Sequence, residues 1–261
     1  GDLHGVYYSY TITYNGVSRE TIDIYARSSG VNGYRGMVLD FSRTDPEGWG
    51  DSQRVKLENY TDAVIYELHV RDFSADTAGN FTNRGKFLAF TEENVTNSYG
   101  DVIGLDYIAS LGVTHIHLLP VFDFETVDEG SDHPAYNWGY DPMNYNALEG
   151  SYSSNSFDGS TRVKEFKELV LAAHKRGLGV IMDVVYNHTY STDNSCFTKT
   201  FPEYYYRQAN GGYSNGSGCG NEFASERKMA SRYIIDSLCW LCTEYKLDGF
   251  RFELMGPLDI K

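Results

Sequence analysis

An α/β fold built on a parallel sheet is what this sequence predicts, and three observations lead there. Short apolar runs recur between residues 62 and 254, stretches with helical apolar spacing separate them, and polar residues gather where the runs end. Runs that are apolar on both faces belong to parallel strands covered by helices, because a strand with one wet face would alternate.

The elements follow in order. Residues 1–58 are β material of another kind. Residues 6–14, the dipeptide Asn15-Gly16 and a second run to residue 24 predict a hairpin closed by the favoured Asn-Gly turn. Residues 30–41 supply a further short turn and strand, and Asp45-Pro46-Glu47-Gly48-Trp49-Gly50 marks a linker-like break. Three or four strands make a poor domain alone, so residues 1–58 look like the C-terminal part of a β-sandwich, with a second domain over 59–261. In that second domain, residues 63–70 form an apolar strand, 104–111 a short helix and 113–122 a second strand. Residues 162–175 carry helical apolar spacing (Val163, Phe166, Leu169, Val170, Ala173) that stops before Gly177. A third strand at 178–185, a third helix at 226–245 and a fourth strand at 249–254 complete the series. Four such units are half of a (β/α)8 TIM barrel, and half a barrel leaves open sheet edges. The chain therefore looks partial, its sheet completed by the remainder of its own barrel.

Composition narrows the partners. Of 261 residues, 41 % are hydrophobic and 22 % charged, which describes an ordinary globular protein. A net charge of −14 argues against nucleic acid and anionic membrane, and favours a neutral substrate. The 22 tyrosines suit a cleft that stacks on flat apolar faces such as sugar rings, though tyrosine also fills cores. No run reaches the length of a membrane span. Four cysteines are too few for a disulfide scaffold. Cys196 and Cys219 flank one Gly/Ser/Asn-rich excursion and could bridge it, whereas Cys239 and Cys242 share a helix face. Thiols without a framework tilt the compartment toward the cytoplasm, with secretion left open.

The chemistry-bearing residues lie at strand ends. Arg251 and Glu253, two apart, share one face of the fourth strand opposite Phe250, Phe252 and Leu254. Burying them requires that the charges be partnered, and a structural ion pair is the plain alternative to a functional one. The third strand runs into Asp183, Asn187 and His188, at the edge where barrel enzymes place their chemistry. After the second strand comes a loop dense in aromatics and amides, His133 to Pro142. His115 and His117 share a face in the manner of a metal-binding pair but sit mid-strand, so they read as interior filler. Glu67, His69 and Arg71 read as one buried polar network on the first strand.

Together these segments resemble glycoside hydrolase family 13, the α-amylase clan, and within it the type I pullulanases. Tyr136-Asn137-Trp138-Gly139-Tyr140-Asp141-Pro142 matches the pullulanase signature. Residues 183–188 resemble the clan's first region and 248–256 its second, while Pro202-Glu203-Tyr204-Tyr205-Tyr206-Arg207 and Ser217-Gly218-Cys219-Gly220-Asn221 resemble stretches specific to pullulanases. Residues 1–58 look like the second half of a family 48 carbohydrate-binding module. The resemblance implies cleavage of α-1,6 branch linkages in pullulan, starch or glycogen-type α-glucans by a retaining mechanism. It places Glu253 as the nucleophile, oriented by Arg251. Asp183 and His188 would contact the sugar and Tyr140 would stack on it. Trp138, Asn137, Asp141 and Asn187 would be further contacts or loop-fixing residues.

Two departures accompany it. The family has aspartate where this chain has Glu253, and the longer side chain shifts the attacking oxygen by about a bond length. The general acid belongs on a strand beyond Lys261, so the chain as given is expected to be inactive alone. A non-catalytic α-glucan-binding protein is the alternative. No cofactor is expected. Asn187 stands where related amylases bind calcium, but many debranching relatives lack that site, so no metal is predicted.

Overall fold

A computed structural model describes residues 1–259. The N-terminal hairpin is present: β1 (Tyr10–Tyr14) pairs antiparallel with β2 (Val17–Thr21) across Asn15-Gly16. Both turn residues have positive φ, the reason for that dipeptide. A shorter antiparallel pair joins Tyr7–Tyr8 to Gly36–Met37.

The parallel sheet consists of β3 (Ile65–Leu68), β4 (His115–Leu118) and two later strands. After Pro120 comes a feature absent from the sequence reading. Residues 113–122 are not one strand, because Pro120 has no N–H to donate to a ladder. The chain restarts as β5 (Phe122–Phe124), which turns out of the sheet and pairs antiparallel with β6 (Pro142–Leu148). This hairpin carries the 125–141 loop. Strands β7 (Gly179–Val184) and β8 (Gly249–Phe252) then complete a sheet of spatial order β8-β7-β4-β3, parallel at every pairing.

Helices α1 (Gly104–Ser110), α2 (Gly159–Lys175) and α3 (Lys228–Glu244) alternate with those strands. Helix α2 starts three residues earlier than its apolar spacing suggests, since the Asp158 carboxylate caps it by accepting from the Ser160 N–H at 2.9 Å. Its apolar stripe of Val163, Phe166, Leu169, Val170 and Ala173 is fully buried with Val180, Met182 and Val184 of β7. Each large side chain in that layer contributes about 1.5–3 kcal/mol by leaving water.

The same core takes in Ile22, Ala26 and Trp49 from the N-terminal region. Residues 45–55 are therefore no free linker. Trp49 is buried beneath the Lys167 and Lys246 ammonium groups. Ser52 bonds His174 Nδ1 at 2.7 Å, and His174 Nε2 meets Asp248 at 2.8 Å. Asp248 also accepts the Val55 and Val180 N–H groups, so one carboxylate ties the connecting segment to the base of β7 and β8.

At the other end of α2 lies a denser knot. Arg162 and Glu129, both fully buried, form a bidentate pair at 3.0 and 2.9 Å. Arg162 also donates to Ser29 Oγ and to the Leu148 and Ser156 carbonyls. Position 150 must be glycine, because a Cβ there would overlap the guanidinium. Asp123 and Glu149 share this interior, and burial with the neighbouring Glu129 raises both; the Asp123 carboxyl is pushed up to about 7.

The cysteines are free thiols, and burial pushes Cys196 up to about 12. No described helix is long and apolar enough to cross a membrane. The predicted network of Glu67, His69 and Arg71 is divided, because β3 ends at Leu68 and face alternation ends with it. Glu67 is largely exposed and pairs with His117, His69 meets Tyr152 and the Asn137 carbonyl, and Arg71 donates to the Pro134 carbonyl.

The raised Asp123 has a testable consequence. A carboxyl protonated more readily in the folded state gives stability that is full below its ordinary value of 3.8 and lost as pH rises through about 7. Asp123→Asn keeps an acceptor for Ser29 and should flatten the loss of urea-unfolding stability between those pH values. An unchanged slope would contradict the assignment.

Candidate active site

Each strand of the sheet delivers a polar group toward one end. Arg251 and Asp183 are register partners across β8 and β7, and Glu67 and His117 across β3 and β4. A row of close contacts crosses the sheet: Glu67 Oε2 lies 3.2 Å from His117 Nδ1, His117 Nε2 lies 3.4 Å from Asp183 Oδ2, and Asp183 Oδ2 lies 2.8 Å from Arg251 Nη1. Glu253 closes the row against the same guanidinium nitrogen.

Asp183 is the pivot. Its carboxylate is fully buried, and Oδ2 accepts both Arg251 and the Tyr140 hydroxyl, the latter at 2.9 Å. Burial and the Asp183 charge push the Tyr140 phenol up, so it is a firm donor. Asp183 Oδ1 is buried without a hydrogen-bond partner among the described residues.

Arg251 and Glu253 share a face as their spacing predicts, but they are less buried than an internal strand would make them. The Arg251 side chain is 45 % exposed and that of Glu253 21 %. The reason is positional: β8 is a border strand of the four described ones.

His188 has a single defined tautomer in its hydrogen bonds. Nε2 donates to the Tyr140 carbonyl at 2.9 Å, and Nδ1 accepts from the Asn187 amide at 2.9 Å. Burial lowers its proton affinity. Its own carbonyl accepts the Tyr145 hydroxyl, which anchors the loop after β7 to β6.

The signature loop divides its residues by task. Asn137 and Asp141 face inward: the Asn137 amide donates to Asp141 and Thr126, and its Oδ1 accepts the Gly139 N–H at 2.7 Å. Gly139 has φ +89, and a Cβ there would lie 2.6 Å from the Pro120 carbonyl, so no other residue fits between Trp138 and Tyr140. That turn sends Tyr140 down onto Asp183 and leaves Trp138 61 % exposed at the rim. Asp183, Arg251, Tyr140, His188 and Glu253 thus converge, Asn187 stands behind His188, and Asn137, Asp141 and Trp138 lie along the loop.

Three contributors escape the sequence reading. His117, taken there as filler, touches Asp183. Asn221 bonds both N–H and carbonyl of Thr189, and Tyr145 holds His188. His117 left a signal, as one of two histidines on a short strand with Ile116 and Leu118, and Asn221 lay within a stretch matched by resemblance, whereas Tyr145 left none.

The strand-end cluster under an aromatic loop sits on a four-stranded parallel sheet, the setting in which α/β enzymes of the barrel type place their sites. The description "Alpha amylase, catalytic domain" matches residues 40–215, and the chain belongs to that family. Its relatives include pullulanases and an isoamylase, the isoamylase 3 of Oryza sativa being 33 % identical over 85 % of the chain. The pullulanase of Bacillus subtilis is 47 % identical over the whole chain, and pullulanase A of Streptococcus pneumoniae 38 % over 99 % of it. The chain spans 36 % and 21 % of those proteins. A solved pullulanase of Paenibacillus barengoltzii, in complex with maltohexaose and α-cyclodextrin, superposes with a TM-score of 0.97 at 48 % identity, covering 99 % of this chain and 41 % of that one.

The buried hydroxyl and imidazole give two measurable expectations. Tyr140→Phe strands part of a buried carboxylate and should cost about 1 kcal/mol in urea unfolding. His188, lowered in the folded state, leaves stability full above the ordinary imidazole value of 6.5 and reduces it as pH falls below that. Nitrogen-15 NMR should find His188 with the proton on Nε2 at neutral pH; an Nδ1 proton would contradict the geometry.

Proposed function

We propose that this chain is the front part of an α-glucan debranching glycoside hydrolase that cleaves α-1,6 linkages with retention. The observation that carries this reading is the in-register Arg251–Asp183 pair, with Tyr140 on one side and Glu253 on the other. Residues 1–58 act as the end of a carbohydrate-binding module, and 59–261 as the first four units of a barrel completed by further strands. The matching pullulanases include one described with bound maltohexaose, which supports an α-glucan as ligand.

The residues divide the chemistry as follows. Tyr140 stacks on the sugar ring at the cleavage point, and Asp183 and His188 contact the sugar beside it, His188 through its ring edge because both of its nitrogens are already bonded. Glu253, oriented by Arg251, attacks the anomeric carbon and forms a glycosyl ester, and a general acid on a later strand protonates the departing oxygen. Water then hydrolyses the ester. No metal or cofactor enters these steps.

Glu253 also favours a second reading. It folds back onto Arg251, and a carboxylate so engaged, one methylene longer than the family's aspartate, suits glucan binding without turnover. A misplacement of about 1 Å can cost on the order of 100-fold in rate.

Both readings are separated in the full-length protein. Glu253→Asp should raise maltotriose release from pullulan by tenfold or more, about 1.4 kcal/mol in the barrier, and Glu253→Gln should release none. Equal turnover of the wild type and the aspartate variant would sink the idea that the longer side chain impairs the site, and release by Glu253→Gln would sink the nucleophile assignment. Oligosaccharide binding without release by either form would establish the binding protein.

A further inference from the structure

Beside the signature loop lies a cavity of about 260 Å³ that the proposed chemistry does not use. Arg71, Arg84, Lys86 and His133 line it, and Asp132 is its only acid among the described residues. That concentration of positive charge is local to a chain whose net charge is −14.

The cations are held but not neutralised. Among the described residues no carboxylate pairs with Arg71, Arg84 or Lys86, whereas Arg43, Arg162, Lys167, Arg176, Arg207, Arg232 and Arg251 all have one. Arg71 donates to the Pro134 carbonyl at 2.9 Å, Arg84 to the Asp76 and Gly79 carbonyls, and Lys86 to the Ser151 carbonyl at 2.7 Å. Carbonyls fix the heads in place and leave their charge, together with donors that these bonds do not use. Burial, helped by Arg71, lowers Lys86 against the weaker pull of Glu165 and Glu149, the condition of an ammonium without an anion.

We propose that this cavity binds a phosphate monoester carried on a glucan, so that a phosphorylated glucosyl unit is held next to the cleavage point. This rests on the glucan-cleaving reading, since Asn137 belongs to the cavity wall and to the loop that presents Trp138 and Tyr140. Phosphate fits the wall better than a carboxylate does. Three cationic heads meet three acceptor oxygens and a charge near −2, and Arg71, bonded to the Pro134 carbonyl through Nη1 alone, retains Nε and Nη2 as donors.

The test uses the full-length protein at constant ionic strength, with maltotriose, maltotriose phosphorylated at a 6-hydroxyl, and inorganic phosphate as probes. Calorimetry should show the phosphorylated sugar binding at least about tenfold more tightly than the plain one, the gain of roughly one charge-assisted hydrogen bond. The Arg84→Gln/Lys86→Gln double variant, its fold checked by circular dichroism, should lose that advantage and keep its affinity for maltotriose. Equal affinity of the two sugars for the wild type overturns the proposal without reference to any variant. So does an advantage that survives the double substitution. Failure of the glucan reading has another signature: neither sugar binds, while phosphorus-31 NMR still shows inorganic phosphate engaging the wild type and not the variant. That result supports the anion site and overturns its glucan ligand.

Discussion

The placement of the candidate site depends on one buried guanidinium. Arg162 is fully enclosed, and an uncompensated charge there would cost several kcal/mol. It is tolerated because Glu129 meets it with both oxygens while Ser29, Leu148 and Ser156 occupy remaining donors. Those partners come from the N-terminal region, the loop after β5, the end of β6 and the approach to α2. Ion pairs of this kind are weak evidence for net stability. Their effect is on geometry: the pair fixes where the β5–β6 hairpin leaves the sheet, and that hairpin carries the loop with Trp138 and Tyr140. A site residue is thereby positioned by a charge far from it.

At the strand ends the balance between desolvation and pairing is different. Asp183 is wholly buried, whereas Arg251 is nearly half exposed. Solvent screens the guanidinium, so the pair does not hold the sheet together as Arg162 holds its loops. The parallel ladder and the apolar layer under α2 do that. What these polar groups contribute is order, since each side chain has a partner on the neighbouring strand. His117 is the member whose absence would break the row, separating Glu67 from Asp183.

Much of the fold was legible because the runs at 178–185 and 162–175 are long, strongly patterned and unambiguous in period. The hairpin at 10–21 was legible from its turn dipeptide alone. The proline break at 120 and the strand at 142–148 were not, since Pro142 and the polar Asn144 and Asn146 hide a strand whose face is buried by tertiary packing. The predicted break near residues 45–50 failed for a related reason: Gly and Pro mark a turn, but not whether its tryptophan reaches a core. The candidate site was visible through resemblance for Asp183, His188, Arg251 and Tyr140. His117, which touches Asp183, and Asn221, which bonds Thr189 next to His188, come from distant segments, and local spacing does not reveal which segment such a residue will meet.

Glu253 shows how backbone and side chain share the control of reach. Strand β8 ends at Phe252, and Leu254 has φ +41, an unfavourable conformation for a branched aliphatic residue. The backbone at 253 is therefore held on both sides, by the ladder bond to the Val184 carbonyl before the turn and by the turn itself. With the backbone fixed, an added methylene cannot be absorbed by retreat of the main chain. It must extend the carboxylate into the cleft or fold it onto Arg251, and the observed side chain takes the second course. An aspartate on the same backbone is one rotatable bond shorter, so its oxygens have fewer positions open to them. On the glycosidase reading proposed above, the identity of this single residue decides whether the row ends in a nucleophile or in an ion pair.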